Sequence, residues 1–295
     1  LRESPVVAMR GEPGIADLLF GDPHDATLPG ISEVLSEQVN VSDQEGYHYL
    51  HHLDEARIAA AAALSQRTNL AFSPEHLYMT TGAFSGLSCC LQALCNSEDE
   101  VLFFNPPWFY YRSMIKSVGA VPRGIDLTDN WEIPFEQFEM AINEKTSAII
   151  INSPHNPTGR VFNDEELQTL ANIVNKANKR LNRTIPIFSD ESYARIVFDN
   201  DHAPTIARYY DASIVIYTYG KTLLAPSLRI GYVAMSDRCP HVDAFGKIFD
   251  ALQPISGWLL PTCITQRAIP KLETFCVDLD SLRARRDKLL LALNE

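Results

Sequence analysis

The sequence predicts an α/β protein of three layers, α/β/α, built around a mainly parallel sheet. Two observations carry this. Short runs rich in β-branched and aromatic residues alternate with longer amphipathic or apolar stretches of helical period, the cadence of strand, helix, strand. Polar and glycine-rich residues then fall just after the strand-like runs, where sheets of this class keep their ligand sites.

In chain order, strands are expected at 76–80, 101–104, 120–125, 147–151, 185–189, 213–218 and 230–235, each a compact apolar or β-branched run. Helices are expected between them near 54–66, 84–95, 109–118, 134–142 and 164–179; the last opens on Asp164-Glu165-Glu166, the acidic first turn that a helix dipole favours. Beyond Pro240 the pattern turns helical, and 278–293 reads as one long surface helix fronted by Arg283-Ala284-Arg285-Arg286-Asp287-Lys288. The polar segments after the strands are Thr81-Gly82-Ala83, Asn105-Pro106-Pro107-Trp108, 152–159, Asp190-Glu191-Ser192-Tyr193 and Tyr219-Gly220-Lys221. Five loops on one rim imply one site.

Composition narrows the function classes. Of 295 residues, 46% are hydrophobic and 21% charged, the balance of a soluble globular protein rather than a disordered or fibrous one. The length suffices for a large core without disulfide or metal staples. A net charge of −12 argues against sequence-independent nucleic-acid binding and against docking on anionic membranes. No run of apolar residues is long enough to span a bilayer. The six cysteines are scattered without paired spacing, so reduced thiols and a cytoplasmic location are expected. His48, His51 and His52 have no accompanying ligand cluster, and no metal site is expected. No repeat, low-complexity tract or linker divides the body.

Lys221 ends a strong apolar strand, where partial desolvation turns an amine into a nucleophile able to form a Schiff base. Eight residues later Arg229 sits in Leu228-Arg229-Ile230-Gly231-Tyr232, among apolar neighbours expected to bury its stem, and its fork suits phosphate. Gly82 and Ala83 open a helix after a strand, a second anion-attracting feature. A Schiff-base lysine with two phosphate contacts points to pyridoxal phosphate. Asp190, closing the apolar strand Pro186-Ile187-Phe188-Ser189, supplies a carboxylate for a ring nitrogen. Tyr193 and Asn156 supply donors for the ring's 3′ oxygen, and Trp108 a face for stacking.

The run Asn152-Ser153-Pro154-His155-Asn156-Pro157-Thr158-Gly159, then Asp190-Glu191-Ser192-Tyr193, then Lys221 with Arg229-Ile230-Gly231-Tyr232, resembles the class I/II aminotransferases of pyridoxal-phosphate fold type I. The resemblance runs from about residue 20 to 293. It implies catalytic roles for Lys221, Asp190 and Tyr193: Lys221 as the Schiff-base lysine and proton carrier, Asp190 as the ring-nitrogen partner, Asn156 and Tyr193 as donors to the 3′ oxygen. It further implies a phosphate cup of Gly82, Ala83, Phe84, Thr218 and Arg229, stacking by Trp108, and a homodimer in which Tyr47 reaches the neighbouring subunit's phosphate. Gly21, in Phe20-Gly21-Asp22-Pro23, and Asn156 are the residues implied near the substrate. Trp258, Phe20 and Tyr49 are candidates for the pocket wall.

The resemblance also divides the chain: an N-terminal segment, 1–45, packing on a small domain and the substrate entrance; a large cofactor-binding domain, 46–275; and the start of an interdomain helix, 276–295. The C-terminal small domain, with the arginine that reads a substrate carboxylate, is then missing, and a fragment of a longer enzyme is expected. The function implied is transfer of an amino group between an L-amino acid and a 2-oxo acid. Alternatives are a lyase of the same fold, either a carbon–sulfur β-lyase or an enzyme like aminocyclopropane-carboxylate synthase, and a cofactor-binding sensor domain of a transcription regulator. The absence of Arg and Lys from Gln253-Pro254-Ile255-Ser256-Gly257-Trp258 tilts the substrate towards apolar or aromatic side chains.

Overall fold

The computed structural model describes residues 5–9, 11–15, 21, 27–40, 47–49, 51–199 and 202–294. Its strands are β1 (Leu77–Thr80), β2 (Glu100–Asn105), β3 (Val121–Asp126), β4 (Thr146–Asn152), β5 (Ile187–Asp190), β6 (Ser213–Thr218) and β7 (Gly231–Met235). They form one sheet in the order β1-β7-β6-β5-β4-β2-β3. β7 alone runs against its neighbours, β6 and β1, while the other pairings are parallel. The expected mainly parallel sheet is therefore present, with each expected strand matched to within a few residues.

Every residue of β1, β4, β5 and β7 is buried. Helices cover both faces, so these strands read as continuous apolar runs and not as alternating ones. Residue parity assigns the two faces. On one face Met79, Val215, Tyr217, Tyr232 and Ala234 pack under the helix Asp54–Thr68, and Ile149, Ile151 and Ile187 pack under Asp164–Leu181. On the other, Ile150, Phe188, Ile214, Ile216, Val233 and Met235 pack under Ala83–Leu94 and Val242–Ile255. This is the α/β/α sandwich.

Local chemistry sets the helix ends. Asp164–Leu181 begins at a capping box: Asn163 Oδ1 accepts from Glu166 N (2.9 Å), and Glu166 Oε2 accepts from Asn163 N (2.8 Å). It ends at Asn182 in the left-handed region. The helix expected at 109–118 covers Tyr111–Ser117, and β3 is partly exposed because it pairs only with β2, an edge position that also tolerates Pro122. The long terminal helix is Leu279–Asn294, which buries no residue. Helix Ile31–Val39 packs Ile31 and Val34 against Ala268, Ile269 and Leu272 of helix Cys263–Leu272, in the same core as Asp54–Thr68.

Candidate active site

The carboxyl ends of the parallel strands meet the start of β7 along one edge. Asn152 lies beside Asp190 and Asp190 beside Ile216, while Thr218 and Thr80 flank Gly231. Position 231 has to be glycine for this closeness. A Cβ there would stand 2.3 Å from the Tyr217 carbonyl oxygen and 3.0 Å from Gly82 Cα, both backbone atoms that cannot yield cheaply.

Asp190 is 8% exposed. Its Oδ2 accepts from the Tyr111 hydroxyl at 2.6 Å, and its Oδ1 accepts from Ser192 Oγ at 2.6 Å and Ser192 N at 3.2 Å. Among the described residues no cation pairs with it. Burial pushes its carboxyl above the usual range, and the hydrogen bonds from Ser192 and Tyr111 oppose that push only in part. The site thus holds a desolvated carboxyl group without a cationic partner among the described residues. Burial likewise raises Tyr111 well above an ordinary phenol, so it stays a donor.

Asn152, the last residue of β4, ties the loops together. Its Oδ1 accepts from Asn156 N (2.7 Å) and its Nδ2 donates to the Asp190 carbonyl (3.0 Å). Asn156 Nδ2 in turn donates to the Tyr193 hydroxyl at 3.2 Å, so these two expected residues form one polar pair. Lys221 stands in the short helix Tyr219–Thr222, which starts where β6 ends and where Thr218 Oγ1 accepts from Gly220 N. Its amine lies 5.9 Å from the centre of the Tyr193 ring and donates to the Gly21 carbonyl at 2.8 Å. Gly21 is therefore at the lysine; Phe20, Asp22 and Pro23 lie outside the described residues.

At the other end of the site, Gly82 precedes helix Ala83–Leu94 with φ 88°, and no side chain caps that helix, which leaves its first N–H groups to an outside acceptor. A Cβ on Gly82 would come within 2.7 Å of Arg229 Nη2. The guanidinium thus lies against the helix start, donating to the Thr81 carbonyl (2.9 Å) and the Pro226 carbonyl (3.1 Å). Arg229 is exposed as a whole residue, and its backbone is left-handed (φ 50°). Trp108 is half-buried in an aromatic group, edge-on to Phe84 (5.5 Å) and Tyr111 (5.4 Å) between centroids.

Tyr47 is 61% exposed and its hydroxyl donates to the Val39 carbonyl. Tyr49 is also exposed. Trp258 lines a groove with Gln92, Cys95 and Val118, at the carboxyl end of the helix that Gly82 opens. That end is a helix length, about 18 Å, from the phosphate cup, so Trp258 does not wall the site.

Tyr111, Asn152 and the pair Arg67–Glu191 (2.6 Å) are the residues that sequence reasoning did not single out for a role here. Asn152 left a signal, a polar residue closing the run Ile149-Ile150-Ile151. Tyr111 left none, because its partner is 79 positions away.

His155, 4% exposed, sits in the same loop with Nδ1 2.9 Å from Thr158 Oγ1. Burial lowers its pKa to about 4, against a hydrogen bond to the Phe104 backbone. The unfolded chain therefore binds a proton at this residue between roughly pH 6.5 and 4 that the folded protein refuses, and stability falls as pH falls through that window. The loss expected from this residue is on the order of 3 kcal/mol by pH 4. Urea unfolding at pH 7 and pH 5 should show a steeper loss in the unmodified protein than in His155→Asn; identical losses would refute the assignment.

A carboxylate, an amine and an anion-binding helix start on one rim of a fold-type-I-like sheet define a cofactor-dependent enzyme class. The family profile described as aminotransferase class I and II matches residues 14–288. The chain belongs to that family. A probable aspartate aminotransferase of Methanocaldococcus jannaschii is 32% identical over 223 residues, 75% of this chain and 57% of that protein. A probable kynurenine–oxoglutarate transaminase of Saccharomyces cerevisiae is 37% identical over 183 residues, 56% of this chain and 39% of that protein. The crystal structure of an amino transferase from Eubacterium rectale superposes with a TM-score of 0.88 at 30% identity, covering 93% of this chain and 70% of that one. The chain thus spans about half the length of the first curated relatives it matches.

Members of the family use pyridoxal phosphate, and the residues here fit it. Among the described residues no cation pairs with the buried Asp190 and no side chain caps the start of helix Ala83–Leu94, and Gly82 leaves Arg229 room where a Cβ would collide. Among the described residues no helix is long and apolar enough to cross a membrane.

Proposed function

We propose that this chain is the cofactor-binding part of an aminotransferase that moves an amino group between an L-amino acid and a 2-oxo acid. The observation that carries the proposal is the buried Asp190, paired with no cation among the described residues, on the same sheet edge as Lys221 and the Gly82–Arg229 cup. Pyridoxal phosphate, when bound, supplies an electron sink that acidifies the substrate's Cα–H. In this reading Asp190 holds the ring nitrogen's proton, and Asn156 and Tyr193 donate to the 3′ oxygen. Thr218, Arg229 and the N–H groups from Gly82 to Phe84 bind phosphate, and Trp108 offers its face to the ring. Lys221 anchors the cofactor and moves the proton between substrate Cα and the cofactor.

Gly21, whose carbonyl already meets the Lys221 amine, stands at the substrate side with Asn156. The exposure of Tyr47 supports its reaching a neighbouring subunit's phosphate in a homodimer. The domain division is part of the same reading: residues 1–45 at the entrance, 46–275 holding the cofactor, 276–295 leading to a small domain that reads the substrate carboxylate. A cytoplasmic location rests on the six free cysteines, three of them buried.

The test is spectroscopic. The full-length protein, loaded with pyridoxal phosphate, is mixed with a panel of amino acids without any 2-oxo acid, and its visible absorption is recorded. Stoichiometric conversion of the cofactor from aldehyde to amine form is expected for the amino acids it uses. Continuous release of 2-oxo acid would replace this reading with a lyase, and an unchanged spectrum with every amino acid would refute it.

A further inference from the structure

Under helix Asp54–Thr68 lies a cavity of about 180 Å³, partly open to solvent and lined by Arg67, Arg195, His202, Tyr217, Tyr232 and Glu273 among others. Its volume far exceeds the roughly 10–15 Å³ that one water needs. The Arg67 side chain is 6% exposed, and its Nη2 is spent on Glu191 at 2.6 Å. Its Nη1 is buried with no hydrogen-bond partner among the described residues. The Tyr232 hydroxyl makes no hydrogen bond among the described residues, whereas the neighbouring Tyr217 hydroxyl is engaged with Thr222 Oγ1 at 2.7 Å and the Tyr219 hydroxyl donates to Glu273. Two donors without acceptors among the described residues therefore belong to side chains lining one partly open pocket, and a buried N–H left unpaired costs about 1–3 kcal/mol.

We infer that this cavity is a binding site for a small monocarboxylate, whose oxygens accept from Arg67 Nη1 and the Tyr232 hydroxyl. Charge decides between anions. Arg67 is matched by Glu191, and Arg195 by Glu273 at 2.9 Å, so the walls carry donors without the surplus positive charge that a buried dianion needs. A single carboxylate brings one net charge instead of two, held by a charge-assisted bond from guanidinium and one from a phenol and hydrated where the pocket opens to solvent. Three neighbours of the cavity are one residue from the active-site edge: Glu191 beside Asp190, Tyr217 beside Thr218 and Tyr232 beside Gly231. The inference is independent of the proposed transamination, since Arg67 and Tyr232 have no part in the rim site.

The experiment uses sodium acetate as the probe and the cofactor-loaded full-length protein, so that the phosphate cup is filled. Melting temperature is followed with acetate up to about 0.1 M, against sodium chloride at the same ionic strength. Tyr232→Phe removes only the unpartnered hydroxyl and keeps the ring packed 5.1 Å from Tyr217, so its melting temperature without acetate should match that of the unmodified protein. Saturable stabilisation by acetate is expected, with apparent affinity roughly fivefold to tenfold weaker in Tyr232→Phe. Equal stabilisation of both forms, or stabilisation of neither, overturns the inference and leaves the cavity to water. Such a failure would leave the spectroscopic test of transamination untouched.

Discussion

Replacing Lys221 by alanine is expected to abolish turnover, by roughly 10⁴-fold or more, because one change removes both the covalent anchor and the proton carrier. The fold should survive. Lys221 is only half-buried, and its amine makes a hydrogen bond to the Gly21 carbonyl that water replaces at little cost. Cofactor should still bind through Asp190, Arg229 and the helix start, but without a covalent link it should be removable by dialysis. The checks are single-turnover kinetics with an amino acid that the unmodified protein uses, and cofactor retained after dialysis. A variant that keeps the unmodified rate would end the catalytic assignment of the whole rim.

Asp190→Asn should separate stability from function. The carboxamide keeps the shape and an acceptor for Tyr111 or Ser192 but loses the charge, so turnover should fall by roughly 10²- to 10³-fold, as when one preorganised electrostatic group is removed. Without cofactor the sign of the stability effect reverses. A buried carboxylate with no counter-cation weakens the folded state, so the variant should match or exceed the unmodified protein by about 1 kcal/mol at neutral pH. Because burial raises the folded pKa of Asp190, the folded protein holds a proton there that the unfolded chain has released. Stability of the cofactor-free protein therefore declines as pH rises from the unfolded carboxyl pKa, about 3.9, to the raised folded value, and the variant lacks that slope. Denaturation of cofactor-free samples across this range measures it. A variant less stable than the unmodified protein at neutral pH would mean that Asp190 already has its counter-charge.

The strands and the loops that follow them were legible because burial on both faces leaves continuous apolar runs, and because ligand-binding residues gather at strand ends. The match of 147–151 to Thr146–Asn152 and of 213–218 to β6 follows from that. Asn156, Asp190, Tyr193, Lys221 and Arg229 stood out by order and spacing. The exposure of Arg229 did not, since its guanidinium meets the Thr81 carbonyl, 148 positions away, only in the folded chain.

By itself the sequence determined the layers, the positions of the strands and the residue types on the rim, because these depend on local period and on the chemistry of single side chains. Tertiary structure alone decided which side chains meet. Tyr111 reaches Asp190 across 79 positions and Arg67 reaches Glu191 across 124, contacts set by strand order and by which face each residue takes. The same folding places β7 antiparallel between β1 and β6, bringing Gly82 against Gly231 on one side and leaving Arg67 and Tyr232 around a cavity on the other. The physical reason is that pairing across a sheet depends on long-range packing of apolar faces, which no local pattern encodes.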